Sequence, residues 1–368
     1  MATPRLFRLK AEVAPAPSGP VAESLPVAKV RVDTGVFHLD QLYDYSVPAK
    51  LSAFVKVGVR VQLPFGGRET EGLVVSRVSA PDRAGELKSI TKILSPHAVA
   101  NPQSLELIDR ASEFYCCNPW DLIRSAIPPR VASVDKEFES NTSDVIKATV
   151  KPSSFFKTFT PFTSPYEQIS SLVKEVHKKG AVLIIAPDEK DVERLCELLG
   201  PHFDAVLPLT SSIPREERYR NYLLAMRTDG AVVGTRSAIF APVRNLASII
   251  IFKESSPDHF EIRSPGWNTT TIATMRQQLE GVQVILTGFA PSVRSAFNID
   301  SGEIKFLNQK TTVEVQAFSP TDGALLPGRI FSEIKKALTK GPVLFIAPRK
   351  GYGNALLCAH CRNVALCT

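Results

Sequence analysis

Three cysteines near the end of this 368-residue sequence are its clearest candidates for chemistry. Cys358 and Cys361 form a C-x2-C pair, and Cys367 follows shortly after. In a sequence without an apparent export signal, this spacing is typical of zinc ligands. The pair supplies two of the four donors that tetrahedral zinc needs, and we expect His360 to be a spacer. The alternative is three reduced cysteines on a frayed terminus.

Two other candidates favour a structural interpretation. Cys116 and Cys117 are adjacent and lie near Trp120, and neighbouring cysteines seldom bind one metal ion, so we expect them to be buried packing residues. His259, next to Asp258, has the type of a general base or a metal ligand. The sequence has no H-E-x-x-H motif and no nucleophile elbow, and this favours a histidine on a surface loop.

Phosphate-binding motifs are absent from the sequence. It contains neither G-x-x-x-x-G-K-[ST] nor G-x-G-x-x-G. The apolar run LASIIIF is followed by Lys253 and Glu254, where a nucleotide-hydrolysing enzyme would carry the carboxylates that bind magnesium. We therefore expect ATP to be neither bound nor hydrolysed.

The composition is that of a globular protein with a basic charge. The net charge is +7 and the hydrophobic fraction 44%. Residues 1–92 carry +4, residues 327–368 carry +6, and the segment between them carries −3. Positive charge at both ends suits a polyanion, although an ordinary basic surface is an equal alternative. The sequence has no apolar run long enough to cross a membrane and its start has no apolar signal core, so we expect a cytoplasmic protein with no membrane partner.

The elements that would position these residues fall into two kinds. The first part alternates valine with polar residues and contains PFGGRETEG between two valine-rich runs, which predicts a small β domain with a hairpin. Two short helices follow, one after Asn101-Pro102 and one capped by Asn118 with Pro119 at its first position. The polar stretch from about Asp135 to Ser154 has the composition of a linker or an edge hairpin.

From about Tyr166, short apolar runs alternate with amphipathic segments. This pattern predicts a parallel sheet with helices on both faces and a ligand at the carboxyl ends of its strands. Near the end, FSEIKKALTKGPVLFIAP predicts the start of a second unit, a helix followed by a strand.

Six segments together resemble the PriA family of primosomal replication-restart helicases. VAKVRVDTGVFHLDQLYDYSVP and VGVRVQLPFGGRETEGLVVSRV are similar to the family's domain for the 3′ end of a nascent strand. SLELIDRASEFYCCNPWDLIRSAIPPRV is similar to its winged-helix segment. VVGTRSAIFAP resembles a helicase motif that touches the DNA backbone, TGFAPSV stands in place of S-A-T-P-S, and RKGYGNALLCAHCRNVALC resembles the start of a zinc-bearing insertion.

The resemblance implies a fold class and a division into domains. We expect an α/β protein with a β-rich N-terminal module, a winged-helix segment, a RecA-like helicase lobe with a parallel sheet, and the start of a second lobe with a zinc-binding insertion. The expected segments are a disordered tail (1–26), the 3′-DNA-end-binding β domain (27–95), the winged-helix segment and linker (96–150), degenerate lobe 1 (151–300), and the start of lobe 2 with a truncated zinc region (301–368).

The resemblance also implies site residues. A 3′-end pocket would be built by residues that match the family's pocket, Tyr43, Asp44, Gly66 and Lys88. The alternative is Tyr43 in the core and Asp44 in a turn. DNA backbone contacts would come from Gly234, Thr235, Arg236 and Ser237. Cys358 and Cys361 would share one zinc ion with a distant C-x2-C pair and Cys367 would begin a second site, giving two zinc ions in a complete chain.

The departures from the family determine the expected function. The family's D-E-x-H motif, its phosphate loop and its S-A-T residues are missing, and the sequence stops at Thr368 before the insertion is complete. We therefore expect a degenerate family member, or a fragment of one. It would bind forked or single-strand-containing DNA at the nucleoid, recognise the nascent 3′ end and recruit other primosome and replicative-helicase loading proteins. The alternatives are an ATP-dependent 3′–5′ DNA helicase with unorthodox nucleotide binding, and a small-molecule α/β enzyme.

Overall fold

The computed structural model describes residues 19–82, 84–138, 150–307, 315–318, 328–346 and 360. The chain divides into two compact units, Met1–Thr311 and Thr312–Thr368, which are described separately. Among the described residues, no helix is both long and apolar enough to cross a bilayer.

The first unit begins with a five-stranded antiparallel sheet in the order β2-β1-β4-β3-β5. Its strands are β1 (Val27–Val32), β2 (Leu42–Ser46), β3 (Val59–Phe65), β4 (Arg68–Val78) and β5 (Lys92–Ala98). The predicted hairpin is confirmed, because β3 and β4 pair up to Phe65 opposite Arg68. Gly66 and Gly67 form its turn with φ of +59° and +79°, a left-handed pair that glycine adopts without strain.

Three helices follow the sheet: α1 (Pro102–Phe114), α2 (Pro119–Ala126) and α3 (Ala132–Asp135). The predicted starts of α1 and α2 are confirmed. The Asn101 side chain accepts a hydrogen bond from the Ser104 N–H at 2.8 Å, and Asn118 accepts one from the Trp120 N–H at 2.8 Å. Each helix has proline at its first position, where no N–H is needed.

A seven-stranded sheet forms the rest of the first unit, in the order β12-β6-β11-β10-β7-β9-β8. Every pairing in it is parallel, as predicted. Its strands are β6 (Ser153–Thr158), β7 (Ala181–Ile185), β8 (Val206–Leu209), β9 (Ala231–Gly234), β10 (Leu246–Ile251), β11 (Gln283–Gly288) and β12 (Lys305–Leu307). Its helices are α4 (Pro165–Val176), α5 (Glu189–Leu199), α6 (Arg215–Ala225), α7 (Thr269–Glu280) and α8 (Val293–Asp300).

Both faces of the parallel sheet are covered. Along β7, Leu183 and Ile185 join one buried apolar cluster, whereas Val182 and Ile184 join another. Because successive side chains of a strand point to opposite faces, this division shows a core on each side of the sheet. Because all its strands are parallel, their carboxyl ends lie at one edge of the sheet, where a ligand of such a fold binds.

The structure corrects several of the sequence-based expectations. The segment just before β1 is not a tail, because Ala22 is buried and its N–H donates to the Val47 carbonyl at 2.9 Å. Asp135 is not part of a linker, because it is buried at the end of α3. β5 crosses the expected boundary between residues 95 and 96, and β6 replaces the last residues of the expected linker.

The second unit contains helix α9 (Gly328–Leu338), which confirms the predicted helix. The strand predicted after it is not formed at residues 341–346, the part of GPVLFIAP that the structure describes.

Candidate nucleic-acid interface

The four residues expected at the 3′-end pocket lie around β2, an edge strand of the antiparallel sheet. Tyr43 is half-buried against the sheet core, with its ring centroid 4.9 Å from that of Phe65. Its hydroxyl donates to the Leu39 carbonyl at 2.8 Å. Gly66 follows Phe65 in the exposed hairpin turn. The structure therefore brings the Tyr43 ring and the Gly66 turn together.

Asp44 lies on the opposite face of β2, because adjacent residues of a strand alternate. Its Oδ2 accepts a hydrogen bond from the Asp82 N–H at 2.7 Å, and its Oδ1 lies 3.4 Å from the Lys29 Nζ. Lys29 also pairs with the Asp82 carboxylate. Asp82 and Asp44 raise the pKa of Lys29 above its ordinary value, so the Lys29 side chain stays protonated at neutral pH.

Lys88 completes the expected set at the end of β2. Its side chain is exposed, and its carbonyl accepts a hydrogen bond from the Ser46 N–H at 2.8 Å. The Tyr43 ring and the Asp44 carboxylate do not line one shared pocket, because they lie on opposite faces of β2. The ion pair between Lys29 and Asp44 was not foreseen from the sequence. Its signal was present, since both residues alternate with apolar neighbours on paired strands.

The second expected DNA contact lies at the carboxyl edge of the parallel sheet. Gly234 ends β9, and Thr235, Arg236 and Ser237 begin the turn that follows. A Cβ on Gly234 would lie 2.4 Å from the Ala238 Cβ and 2.5 Å from the Leu209 carbonyl oxygen, so only glycine fits there.

A cleft of about 600 Å³ opens at this edge, which we call the edge cleft. Its lining includes Thr235, Arg236, Ser237, Lys190 and Glu261. The Arg236 Nε lies 2.9 Å from the Glu261 Oε2. Burial alone would raise the pKa of Glu261, but the Arg263 N–H and the Arg236 guanidinium outweigh it and hold the pKa below its ordinary value. Asp188 and Glu189 also line the cleft, which thus presents hydroxyls, two cations of which the guanidinium is already paired, and three carboxylates.

The loop from β6 to α4 joins a parallel strand to the helix that follows it, the kind of connection that carries a phosphate loop in nucleotide-binding folds. It reads FTPFTS, from Phe159 to Ser164, and contains no glycine. Phe159 is buried, with its ring centroid 5.7 Å from that of Phe252 and 5.4 Å from that of Phe289. A phosphate loop needs glycines so that backbone N–H groups converge on the anion, and here aromatic rings fill the space beside the sheet edge.

Lys253 follows β10 with φ of +53°, a strained conformation for a residue with a side chain. Its Nζ donates to the Asp191 Oδ1 at 2.7 Å and Oδ2 at 2.9 Å, and the Tyr166 hydroxyl donates to the same carboxylate at 2.5 Å. Burial opposes the charge on Lys253, but Asp191 outweighs it and raises the pKa of the ammonium. Asp191 likewise raises the pKa of Tyr166. The Lys253 ammonium at this strand end is thus paired with a carboxylate of the same chain.

Glu254, the next residue, also forms hydrogen bonds within the protein. Its carboxylate accepts hydrogen bonds from the Ser292 N–H at 3.0 Å, the Ser292 hydroxyl at 2.7 Å and the Ser295 hydroxyl at 2.8 Å. These bonds tie the end of β10 to the start of α8. A carboxylate that already accepts three hydrogen bonds is poorly placed to bind magnesium through its remaining lone pairs.

The surface-loop interpretation of His259 is wrong, because the residue is 1% exposed. Its Nε2 lies 2.8 Å from the Phe252 carbonyl oxygen, since the short turn Pro257–His259 folds the ring back under the end of β10. Burial lowers the pKa of His259 below its ordinary value.

The buried-packing expectation is wrong for Cys116, which is exposed. Helix α1 ends in a Schellman motif, with Cys116 in the left-handed position at φ +50° and the Cys117 N–H donating to the Ser112 carbonyl at 2.9 Å. That turn directs the Cys116 side chain to solvent. Cys117 is partly buried against the core, and burial raises the pKa of its thiol to about 11.

The expected zinc ligands Cys358, Cys361 and Cys367 lie outside the described residues. Within the part of the chain that the structure describes, no group of three or more histidine, cysteine or acidic side chains is arranged to hold a metal ion. The zinc assignment therefore stays a prediction.

Comparison with known proteins supports the resemblance stated above. The probable replication restart protein PriA of Mycobacterium tuberculosis (strain ATCC 25618 / H37Rv) is 28% identical over 373 residues, covering 90% of this chain and 57% of that protein. The replication restart protein PriA of Rickettsia felis is 22% identical over 367 residues, covering 88% of this chain and 54% of that protein. The chain thus spans little more than half the length of these relatives.

Among solved structures, one that matches aligns weakly with this chain. The E. coli DExH-box NTPase HrpB has a TM-score of 0.29 at 13% identity, covering 41% of this chain and 20% of that one. A score this low supports no conclusion about fold. By sequence, residues 29–128 match the model of the PriA family described as 3'DNA-binding domain (3'BD). The match includes α1 and α2, which were expected in a winged-helix segment that begins at residue 96, so the end of the 3′ DNA-binding domain lies further along the chain than expected. The predicted resemblance to the PriA family is confirmed.

Proposed function

We propose that this chain acts in replication restart as a DNA-binding protein that recognises forked DNA and the 3′ end of the nascent strand, without working as a motor. The observation that carries the proposal is the match of residues 29–128 to the 3′ DNA-binding domain. The basic net charge of +7 supports a polyanionic partner.

The edge strand β2 is the proposed binding site for the 3′ end. The Asp44 carboxylate would accept a hydrogen bond from the terminal 3′-hydroxyl, and the Tyr43 ring would stack on the last base. Because these side chains lie on opposite faces, the terminal nucleotide would have to straddle β2, whose outer side is open along most of its length. Gly66 would allow close approach of the backbone, and Lys88 would neutralise a phosphate.

The edge cleft is the proposed contact to the DNA backbone. Thr235 and Ser237 offer hydroxyl donors, Arg236 offers a guanidinium, and Gly234 lets the turn pack closely against β8. Such contacts position a strand without reading its sequence.

The absence of a motor is supported by three features of the sheet edge. The β6–α4 loop has no glycine and buries Phe159, Lys253 is paired with Asp191, and Glu254 accepts three hydrogen bonds. Among the described residues, the β6–α4 loop offers no glycine for an amide cradle and the Glu254 carboxylate is already engaged, which argues against phosphate and magnesium binding at these two positions.

The remaining parts of the proposal rest on the resemblance. Cys358, Cys361 and Cys367 would bind zinc, and a complete chain would hold about two zinc ions. The partners would be other primosome proteins and proteins that load the replicative helicase, met at the nucleoid.

Fluorescence anisotropy with two forks tests the 3′-end assignment. One fork ends in a 3′-hydroxyl and the other in a 3′-phosphate, and each is titrated with the wild type, Asp44→Ala and Glu193→Ala. Glu193 is an exposed residue of α5, and Glu193→Ala removes one negative charge, as Asp44→Ala does, but far from β2 in the sequence. We expect the wild type and Glu193→Ala to prefer the 3′-hydroxyl about tenfold, the value of one hydrogen bond to a charged group, and Asp44→Ala to lose this preference. Equal binding of both forks by the wild type, or an unchanged preference in Asp44→Ala, would contradict the proposal.

A further inference from the structure

Three clefts of the first unit adjoin one another along helix α2. The edge cleft shares Ser125, Ser211, Thr235 and Ser237 with a narrow cleft of about 100 Å³, which we call the neck. The neck in turn shares Arg124 and Pro129 with a third cleft of about 490 Å³ beside the antiparallel sheet, which we call the sheet cleft. Shared lining residues make the three clefts one groove, which runs from the carboxyl edge of the parallel sheet to the antiparallel sheet.

The groove is rich in arginine at its middle and at its far end. Arg60, Arg124, Arg130 and Arg215 line the sheet cleft, against two carboxylates. The neck is lined by Arg124 and Arg218, and its described lining contains no acidic residue. Arg124 is paired with Asp33 and Asp121, which do not line the neck, whereas Arg218 has no ion-pair partner among the described residues. The unpaired charge of Arg218 favours an anion over a neutral or cationic ligand.

Most of these guanidiniums already have partners within the fold. Arg60 donates to the Pro128 carbonyl at 2.9 Å, and Arg130 donates to the Asp135 Oδ2 at 2.5 Å. Arg218 differs, because its Nε is buried and has no hydrogen-bond partner among the described residues. A buried donor without a partner is costly, so an anionic oxygen in the neck would gain a charge-assisted hydrogen bond that the protein alone does not make.

A second unpaired donor borders the edge cleft. Trp267 lines that cleft and is 1% exposed, and its Nε1 is buried with no hydrogen-bond partner in the described part of the chain. Ser125, Ser211 and Thr235, which carry hydroxyls, belong to the shared lining of the neck and the edge cleft. Hydroxyls and guanidiniums are groups that contact a phosphodiester backbone, whereas Asp188, Glu189 and Glu261 in the edge cleft would repel it.

We propose that this groove is the path of a single strand of DNA, with one phosphate bound at Arg218 in the neck. This inference rests on the proposed function and extends it, since it joins the edge cleft to the antiparallel sheet by a continuous route. The neck, with a volume of about 100 Å³, is the smallest of the three clefts, which favours a single phosphate group there over a duplex. The strand would pass along α2, with Arg124 neutralising a second phosphate at the junction of the neck and the sheet cleft.

The test is the salt dependence of binding to an oligothymidine that ends in a 3′-phosphate, so that recognition of a 3′-hydroxyl plays no part. The variants are Arg218→Gln, which keeps a donor and removes the charge, and Arg124→Ala, whose side chain is 52% exposed. The control is Arg194→Ala, which removes the same charge from an exposed pair with Glu197 outside the groove. We expect each groove variant to reduce the slope of log K against log salt by about 0.7, or about fivefold in affinity at about 0.1 M salt, and the control to match the wild type.

Three outcomes would overturn the inference: an unchanged slope in Arg218→Gln, an equal loss in Arg194→Ala, or equal competition by blunt duplex for the same site. The 3′-hydroxyl preference, measured on forks with the same variants, separates this inference from the proposed function. We expect Arg218→Gln to retain that preference. A wild type without it would refute 3′-end recognition while leaving the slope of the oligothymidine experiment as a valid test of the groove.

Discussion

Asp191 is the residue that holds the cation at the end of β10. It is buried, and its carboxylate accepts hydrogen bonds from both Lys253 and Tyr166. These contacts link α5 to α4 and to the end of β10. The Asp191 carboxylate therefore stabilises the packing of these elements at the carboxyl edge of the sheet. Lys253 itself is 39% exposed, and water screens part of its charge.

Replacing Asp191 with alanine tests that role. Asp191→Ala leaves the Tyr166 hydroxyl and the Lys253 ammonium without their shared acceptor, so we expect the free energy of unfolding to fall by about 1–3 kcal/mol. Urea denaturation followed by circular dichroism measures the change. Glu197→Ala, which breaks the exposed pair with Arg194, should change it by less than about 0.5 kcal/mol. Equal effects of the two variants would contradict the prediction.

His259 predicts a pH dependence of stability. Burial lowers the pKa of its imidazole in the folded protein, whereas in the unfolded chain the ring titrates near the ordinary value of 6.5. Below pH 6.5 the unfolded state therefore binds more protons than the folded state, and stability falls as the pH falls towards the folded pKa. We expect urea midpoints at pH 7.5 and 5.5 to differ more for the wild type than for His259→Asn. The same pH dependence in both proteins would show that His259 contributes nothing to it.

At the scale of elements, the start of β3 depends on a glycine. Gly58 has φ of +81°, and a Cβ there would lie 1.8 Å from the Ala100 carbonyl oxygen. We expect Gly58→Ala to lower the free energy of unfolding by about 2–5 kcal/mol, because backbone strain and a clash with main chain add together. Gly35→Ala is the matched control, since Gly35 has φ of +67° and nothing within 4 Å of a Cβ. Backbone strain alone should cost it about 1 kcal/mol. Urea midpoints that fall equally in the two variants would show that the clash is relieved elsewhere.

The elements that could be predicted from the sequence are those whose own residues specify them. The run AVLIIAP, the glycines at positions 66 and 67, and the Asn-Pro starts of α1 and α2 carry local signals, and the structure confirms them. β6 was missed because SSFFKT has no apolar run or alternation. It is a strand because β11 and β12 pair with it on both sides, which is tertiary information.

The candidate site was predictable only where local sequence patterns specify the elements that carry it. The run GAVVGT predicts the strand β9, so the position of Gly234 through Ser237 at its carboxyl end could be anticipated, whereas their role as DNA contacts was inferred from the family resemblance and stays a prediction. The partners of Lys253 and Glu254 come from α5 and α8, which are distant in sequence, and no local pattern indicates them. His259 was misjudged because its burial depends on how a three-residue turn folds back against β10.

At the scale of the whole first unit, the antiparallel sheet and the parallel sheet are joined by a buried carboxylate. Asp135 accepts hydrogen bonds from the Ser95 hydroxyl at 3.0 Å and the Tyr219 hydroxyl at 2.9 Å. Ser95 belongs to β5 and Tyr219 to α6, so the two modules share one hydrogen-bond network. The Tyr222 hydroxyl adds a bond to the Val99 carbonyl at 2.8 Å. A 3′ end at β2 and a strand in the edge cleft would thus be held by parts of one continuous fold.

The first unit should bind no ATP, with or without DNA. A triphosphate at the carboxyl edge would need converging N–H groups, a lysine and a magnesium-binding carboxylate. The loop from Phe159 to Ser164 has no glycine, and Phe159 packs beside Phe252. The positive charge of Lys253 would repel a metal ion. The Glu254 carboxylate already accepts hydrogen bonds from Ser292. We expect isothermal titration with Mg-ATP to show no binding heat, and forked DNA to stimulate no phosphate release. Removing Lys253 alone, as Lys253→Ala, should restore neither property, because the phosphate loop would still be absent. Micromolar binding of Mg-ATP, or phosphate release that rises with added fork, would show that the chain has another nucleotide site.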